Sequence, residues 1–225
     1  MTDQLPAMPK YVTPSNVPAG SDQGFLDDES FVSSAPWLRM GYALSQSVQD
    51  GNCKQGHYYS EAHETQLEYP FECIFLKWEN RWTVFSEDGN LEWSSDDPQS
   101  DEVQALGDEE WTARRIRAIV CVKHGDEYRP EIVSFHKSTY KVGQTIYKMI
   151  KKSGAPNVWS VVFKCTGADK KEKSATQYSF IPKFTFKGWA PEKDLEALAT
   201  MAKLHGFSAA QEGPSPSENE EESPF

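Results

Sequence analysis

The chain has 225 residues, 38% of them hydrophobic, which is enough for one domain with a substantial core and short for a multidomain enzyme. Its formal net charge is -11, it has no apolar run long enough for a membrane-spanning helix, and its N-terminus shows no export signal. Four widely spaced cysteines argue against a disulfide scaffold. We therefore expect a cytoplasmic protein with reduced thiols and no membrane association.

The first half of the chain predicts three β segments set between a flexible arm and an exposed loop. Residues 1–30 are rich in Pro, Ser, Asp and Gly without periodicity, which predicts a flexible N-terminal arm. The pattern over 37–48 predicts a strand that stops at a turn signal. Residues 70–86 predict two β segments bent near Glu79 and Asn80. The following stretch, at about 87–110, is polar and acidic, and we expect an exposed loop there.

A hairpin and a helix are predicted next. Apolar and basic residues alternate over 115–123, which indicates a half-buried strand whose other face is basic. A turn at Gly125 and Asp126 leads to a return strand over about 131–137. Ser138 or Thr139 can then cap a helix. The apolar residues of that helix share one face: Val142, Ile146, Met149 and Ile150.

Two more strands complete the predicted domain, which we assign to residues 31–206. They cover 158–166 and 177–187 and are joined by a lysine-rich loop over 167–173. The resulting order matches an OB-fold, a five-stranded Greek-key barrel with a helix between its third and fourth strands. A C-terminal helix opened by Pro191 is expected to dock on the barrel through one apolar stripe. That stripe consists of Leu195, Leu198, Ala199 and Ala202, and Gly206 is expected to stop the helix.

The net charge hides two opposite populations of charged residues. Residues 111–193 carry 17 Lys and Arg against six Asp and Glu, whereas residues 1–110 carry five against 21. A basic block inside an acidic chain favours a surface that binds a polyanion, and a solvated lysine-rich face is the alternative. Single-stranded nucleic acid is held by cations that follow the phosphates and by aromatic rings that stack on bases.

The basic block supplies both residue types, and we predict that it binds single-stranded DNA without strong sequence preference. The candidate nucleic-acid-binding residues are Arg115, Arg117, Lys123, Lys137, Tyr140, Lys141, Trp159, Lys164, Lys170, Lys171, Lys173, Tyr178, Phe180, Lys183, Lys187 and Trp189. Among the aromatic residues, Tyr140, Trp159, Tyr178 and Trp189 are the preferred stacking partners, because a polar handle tolerates the wet edge of a groove.

Residues 207–225 predict a disordered acidic tail with an aromatic end. The cluster Glu220, Glu221 and Glu222 precedes the terminal Pro224 and Phe225. A terminal ring and α-carboxylate suit capture by a partner with an apolar pocket and a basic rim. The alternative is an acidic tail that serves solubility and ends in Phe by chance.

This tail resembles the C-terminus of bacterial single-stranded DNA-binding proteins, although Ser223 replaces the apolar residue usual there. The length, the acidic N-terminal half and the C-terminal helix are similar to phage-encoded single-stranded DNA-binding proteins. The resemblance implies an OB-fold, recruitment of replication, recombination and repair proteins through residues 220–225, and a phage or mobile-element origin within a bacterial host.

Other functions receive less support from the sequence. Walker, dinucleotide-binding, nucleophile-elbow and His-Glu-x-x-His motifs are absent, so we expect no enzyme and no cofactor. Cys53, His57, His63 and Cys73 match no standard zinc spacing, and we expect no metal there. A phage interaction protein or DNA mimic that presents the acidic residues of 1–110 to a host enzyme remains the alternative. The sequence leaves the oligomeric state open, a homo-oligomer included.

Overall fold

The structure is a computed structural model that describes residues 6–9, 35–86, 91–125, 127–172 and 178–205. Most of the predicted N-terminal arm, Gly206 and the whole predicted tail lie outside these residues. Within the described parts of the chain, none of the helices has the length and apolar composition needed to cross a membrane.

The protein is mainly β and consists of nine strands and five α-helices in its described residues. In chain order these are β1 (Leu38–Met40), α1 (Gln46–Gln49), β2 (Tyr58–Ser60), β3 (Thr65–Leu67), β4 (Phe71–Phe85), β5 (Leu91–Ser95), α2 (Asp101–Ala105), α3 (Glu110–Ala113), β6 (Arg114–His124), β7 (Glu127–His136), α4 (Tyr140–Ser153), β8 (Val161–Glu172), β9 (Tyr178–Trp189) and α5 (Leu195–Leu204).

The strands form two antiparallel sheets. β1, β2 and β3 make a small three-stranded sheet. The main sheet has the order β7-β6-β4-β8-β9, and β5 pairs with the far end of β4. β4, β6 and β7 follow one another across this sheet, and β8 returns through α4 to lie on the other side of β4. This return of a fourth strand beside the first is the Greek-key connection.

The central strands of the main sheet are buried on both faces. Its inner face packs against α4, through Ile146 and Ile150, and against the small sheet, through Leu38 and Leu67. Its outer face packs against the apolar stripe of α5, whose four residues are all buried. The central strands therefore need apolar residues on both sides, and β4 and β6 supply them in alternation.

A bulge in β4 lets this strand serve both faces. The pairing between β4 and β6 shifts between Phe75 and Lys77, so that Leu76 is an extra residue. Phe75 and Trp78 belong to the inner core, whereas Leu76 belongs to the outer one. Without the extra residue, the alternation of the strand would turn Trp78 out of the inner core.

The sheet is not closed into a barrel in its described residues, because no pairing joins β7 to β9. The small sheet lies across this gap. On one side Trp37 bridges to Ile132 of β7. On the other side the Tyr178 hydroxyl of β9 donates to Gln55 Oε1 at 2.7 Å, and the rings of Tyr42 and Phe180 lie 5.6 Å apart.

The hairpin, the central helix and the C-terminal helix are confirmed. β6 and β7 pair in register from Arg115 with His136 to His124 with Glu127, although β7 begins earlier than the sequence predicts. α4 ends at Gly154, whose φ of +74° is the left-handed conformation that glycine adopts at helix ends. α5 docks on the sheet through its predicted stripe.

Four predicted boundaries are wrong. Only Leu38–Met40 of the predicted strand over 37–48 is extended, and α1 follows it. Residues 71–85 form one long strand and not two bent segments. The described part of the expected acidic loop contains β5, α2 and α3. The lysine-rich loop is strand as far as Glu172, because residues 167–172 pair with β9.

Glu131 of β7 links this strand to the small sheet through hydrogen bonds. Its side chain is fully buried, and its carboxylate accepts hydrogen bonds from Ser60 Oγ at 3.0 Å and from the backbone N–H of Ala62 at 3.1 Å. Burial raises the pKa of Glu131 to about 7, and the nearby charge of Glu61 acts in the same direction. The two hydrogen bonds lower the pKa without reversing the shift.

We expect this carboxyl group to make stability depend on pH. Because its pKa is higher in the folded protein than in the unfolded chain, its contribution to stability is complete below about pH 4.5 and is lost as the pH rises towards 7. The free energy of unfolding, measured with urea, should fall by about 3 kcal/mol at most over this range. Glu131→Gln should flatten the profile. The exposed Glu127 on the same strand is the control, and an unchanged profile in Glu131→Gln would contradict the assignment.

Candidate nucleic-acid interface

Four of the predicted lysines share the outer face of the main sheet. Lys164 of β8 pairs with Glu72 of β4 and with Thr185 of β9, so these three side chains lie on one face. The fourth lysine, Lys123, lies on β6. It follows Val122, which pairs with Cys73 of β4. We call the four lysines of this face the lysine row: Lys123, Lys164, Lys183 and Lys187.

Half of the lysine row is paired with carboxylates. Lys187 forms an ion pair with Glu72, and Lys183 Nζ lies 2.6 Å from Asp169 Oδ1. Lys123 and Lys164 have no carboxylate partner among the described residues. The two ion pairs are largely exposed, and such pairs contribute about 1 kcal/mol or less. A phosphate group can therefore replace either carboxylate at little cost.

Tyr128 is an aromatic residue beside the lysine row, and sequence reasoning missed it. Tyr128 lies on β7 opposite Lys123, and the Lys123 ammonium lies 5.7 Å from the centre of the Tyr128 ring. The predicted return strand begins at about 131, which leaves Tyr128 outside it, although a proline such as Pro130 is compatible with an edge strand. Pro130 is accommodated on an outer strand, and the register of the hairpin turn would have placed Tyr128 opposite Lys123.

The lysines near the end of β8 lie on a two-stranded ribbon that projects beyond β4. The last residue of β8 that pairs with β4 is Cys165, and β8 then continues to Glu172 in pairing with β9 alone. Lys170 and Lys171 are exposed there, and the Lys170 ammonium lies 4.4 Å from the centre of the Tyr178 ring. Lys173 lies outside the described residues. Along these two strands Lys171 lies on the face of Lys183, whereas Lys170, opposite Phe180, lies on the other face with Tyr178.

The two predicted arginines of β6 are buried, so their assignment to phosphate contacts is wrong for this conformation. Arg117 is 4% exposed, and its Nη2 and Nε lie 2.6 and 2.8 Å from Glu79 Oε2. Arg81 also contacts this carboxylate, at 2.9 Å. Burial raises the pKa of Glu79, and the two guanidinium groups counter part of that shift. Arg115 is 7% exposed and stacks on the ring of Phe85.

Two of the predicted aromatic residues are also buried, which corrects their assignment as stacking partners. Trp159 is fully buried in the outer core beneath α5. Phe180 is 7% exposed, with its ring against Gly56, where a Cβ would lie 2.8 Å from the ring. Trp189 is half-buried and packs on the inner core, with its ring 5.8 Å from that of Phe186. Large aromatic residues fill cores first, and nothing in a local pattern separates them from exposed ones.

The remaining three candidates lie on the inner side of the main sheet, on the face opposite to the lysine row. Lys137, Tyr140 and Lys141 surround the start of α4, where the Arg114 guanidinium lies 5.4 Å from the centre of the Tyr140 ring. Arg114 and Lys123 stand at opposite ends of β6, about 30 Å apart at roughly 3.3 Å per residue. The structure therefore divides the predicted site into the lysine row with its ribbon and a separate group at α4.

The cysteines are buried free thiols. Burial raises the pKa of Cys53 to about 11 and that of Cys165 to about 12, and it also raises the pKa values of Cys73 and Cys121. Cys53 Sγ donates to the backbone oxygens of Lys54 and His57 at 3.4 and 3.5 Å. In the described parts of the chain, no three His, Cys, Asp or Glu side chains are grouped as metal ligands.

The predicted partner-binding residues, Glu220, Glu221, Glu222, Pro224 and Phe225, lie outside the described residues. Comparison of the chain with protein-family models, with curated proteins and with solved structures finds no match. The candidate interface therefore depends on the geometry of the lysine row and ribbon alone.

The buried position of Arg117 predicts a loss of stability on its replacement. Arg117→Met removes the closest partner of a buried carboxylate, and we expect the free energy of unfolding to fall by about 3–5 kcal/mol. Lys183→Met breaks an exposed pair and should cost less than about 1 kcal/mol. Urea unfolding measures both. Unchanged stability in Arg117→Met together with weaker binding of oligonucleotides would restore Arg117 to the interface.

Proposed function

We propose that this protein binds single-stranded DNA without strong sequence preference and is not an enzyme. The observation that carries the proposal is the lysine row, which places four cations on one face of three strands and continues on the same face of the ribbon to Lys171. Lys123 and Lys164 of the row have no carboxylate partner among the described residues. Such a track suits a phosphate backbone, which contributes affinity and no sequence information.

We further propose that the main sheet is an OB-fold. Its first three strands are β4, β6 and β7, its helix is α4, and its last two strands are β8 and β9. The Greek-key order supports this, and so does the helix between the third and fourth strands. OB-folds are partly open barrels, and here the small sheet lies across the opening. In such folds the loop between the last two strands contacts the nucleic acid, and in this chain Lys170 and Lys171 lie on the described part of β8 that leads to this loop.

The single-stranded DNA would be held by many weak contacts. Each lysine can exchange solvent or a carboxylate for a phosphate oxygen, and Tyr178 and Tyr128 offer rings close to Lys170 and Lys123. Stacking on ring faces and contacts to phosphates tolerate any base sequence. Bound in this way, the DNA would be protected from nucleases.

We propose the tail as the recruiting element. Its residues Glu220, Glu221, Glu222, Pro224 and Phe225 would bring replication, recombination or repair proteins to the bound strand. The buried free thiols fit a reducing compartment, and we propose the cytoplasm of a bacterial host, with a phage or mobile element as the origin.

A second candidate function is that of an acidic interaction protein or DNA mimic. The segment of α2 and α3 favours it, because Asp101, Glu102, Asp108 and Glu109 are exposed there beside Trp111, which is 65% exposed. An exposed tryptophan among carboxylates suits a basic protein partner. Such a partner would bind without the lysine row.

The anisotropy of labelled oligo-dT, titrated at several salt concentrations, separates the two functions. We expect the protein to bind the oligonucleotide. The logarithm of the binding constant should fall steeply with the logarithm of the salt concentration, with a slope of about 0.7 for each phosphate contact. Lys164→Gln should lower this slope by about one contact and weaken binding of every sequence alike. Lys148→Gln removes an exposed charge from α4, on the opposite face, and is the matched control. No binding in dilute buffer would favour the mimic, and cleavage of the oligonucleotide on addition of magnesium would contradict a non-enzymatic protein.

Deletion of residues 212–225 tests the tail. This segment contains five glutamates on a Pro- and Ser-rich tether, so it can compete with DNA for the lysines at high effective concentration. We expect the deletion to tighten binding of oligo-dT at low salt and to abolish capture of partner proteins. Affinity equal to that of the full chain would rule out competition by the tail.

A further inference from the structure

A cavity of about 250 Å³ opens on the outer face at the Lys123 end of the lysine row. Its side chains come from β4, β6, β7, β8 and β9 and from the turn that precedes α5. The lining residues are Glu72, Cys73, Ile74, Lys123, Tyr128, Val162, Lys187, Gly188, Trp189 and Pro191.

The cavity has an apolar floor and a charged rim. Ile74 and Val162 belong to the outer core and supply the floor, and a Cβ on Gly188 would meet no atom within 4 Å, so the space above this glycine is open. Lys123 and Lys187 stand at the rim, with Glu72 between them in the ion pair with Lys187. This arrangement offers an apolar surface to a flat group and two cations to an anion attached to it.

The volume sets the size of the group. Sites for drug-sized ligands begin at about 300 Å³, so this cavity admits one ring system and not a stacked pair. One wall is the ring of Tyr128, whose hydroxyl donates to Asp194 Oδ2 at 3.3 Å and is thereby held in one orientation. Burial and the Asp194 carboxylate raise the pKa of Tyr128 to about 12, so the ring stays neutral.

We propose that this cavity receives one unpaired nucleobase of the bound strand beside Tyr128, while Lys123 and Lys187 hold a phosphate of the same nucleotide. The inference rests on the proposed function and deepens it. The lysine row would guide the backbone across the sheet, and the cavity would take one base out of solvent at the end of that path. A base stacked on an aromatic ring contributes about 1–3 kcal/mol.

Photocross-linking tests the position of the base in the full-length protein. The probe is an oligo-dT of about eight nucleotides, within the site size of one OB domain, with iododeoxyuridine at one position at a time. We expect the strongest adduct on the peptide that contains Tyr128, for one or two positions of the probe. Adducts confined to other peptides, in a protein that binds the probe, would overturn the inference and leave the proposed function standing.

A variant that fills the cavity gives a second readout. Val162→Phe places a ring above the floor without changing any charge, and we expect the Tyr128 adduct to disappear and oligo-dT to bind about five-fold more weakly or worse. Thr185→Phe adds the same ring on the outer face but outside the cavity lining, and it should keep the adduct. Unchanged adduct and affinity in Val162→Phe would overturn the inference.

A third variant covers the case in which Val162→Phe fails to fold, which thermal unfolding would reveal. Lys123→Gln combined with Lys187→Gln should lower the yield of the Tyr128 adduct, whereas Lys148→Gln combined with Lys152→Gln on α4 should not. Equal yields in the two double variants would overturn the inference. If oligo-dT does not bind the unaltered protein even in dilute buffer, the proposed function fails and this inference fails with it.

Discussion

The central strands of the main sheet are covered on both faces, and this constraint decides where charge can be exposed. α4 and the small sheet lie on one side of β4 and β6, and α5 lies on the other. A cation on the covered part of these strands must be paired or stacked, as Arg117 is with Glu79 and Arg115 with Phe85. Accessible cations therefore stand beyond this covered part. Lys123 lies at the end of β6, Lys183 and Lys187 lie on the edge strand β9, and Lys164 lies beside that strand on β8.

The bulge in β4 allows this sequence to place apolar residues in the cores on both faces of the sheet. Leu76 and Lys77 are consecutive, and the shifted pairing lets both lie on the outer side while Phe75 and Trp78 stay inside. The same shift brings Glu79 opposite Arg117, since Lys77 pairs with Ile119 and the alternation continues from there. The buried ion pair and the inner aromatic core thus depend on one extra residue.

Local patterns predicted the elements whose partners are close in sequence. The β6–β7 hairpin and α4 carry their own alternation, turn and helix-end signals, and each was found from them. Errors arose where distant pairing decides. The lysines of 167–172 show no apolar pattern, yet they form strand because β9 pairs with them. Arg117 alternates like a residue on a solvated face, but its partner Glu79 lies 38 residues away along the chain. The local sequence does not distinguish Trp159 from Tyr178. Only packing across the fold buries the ring of Trp159 and leaves that of Tyr178 partly exposed.

Burial, more than residue type, separates the structural cations from those available to a ligand. Releasing Glu79 from Arg117 would leave a charge without its closest partner in a dry environment, which costs several kcal/mol, so this pair is fixed. Releasing Glu72 from Lys187 or Asp169 from Lys183 leaves both groups in water and costs about 1 kcal/mol or less. Each exposed carboxylate is thus a counterion that can be exchanged at little cost. In the proposed function a phosphate backbone would displace these counterions together, and its binding would weaken as the salt concentration rises.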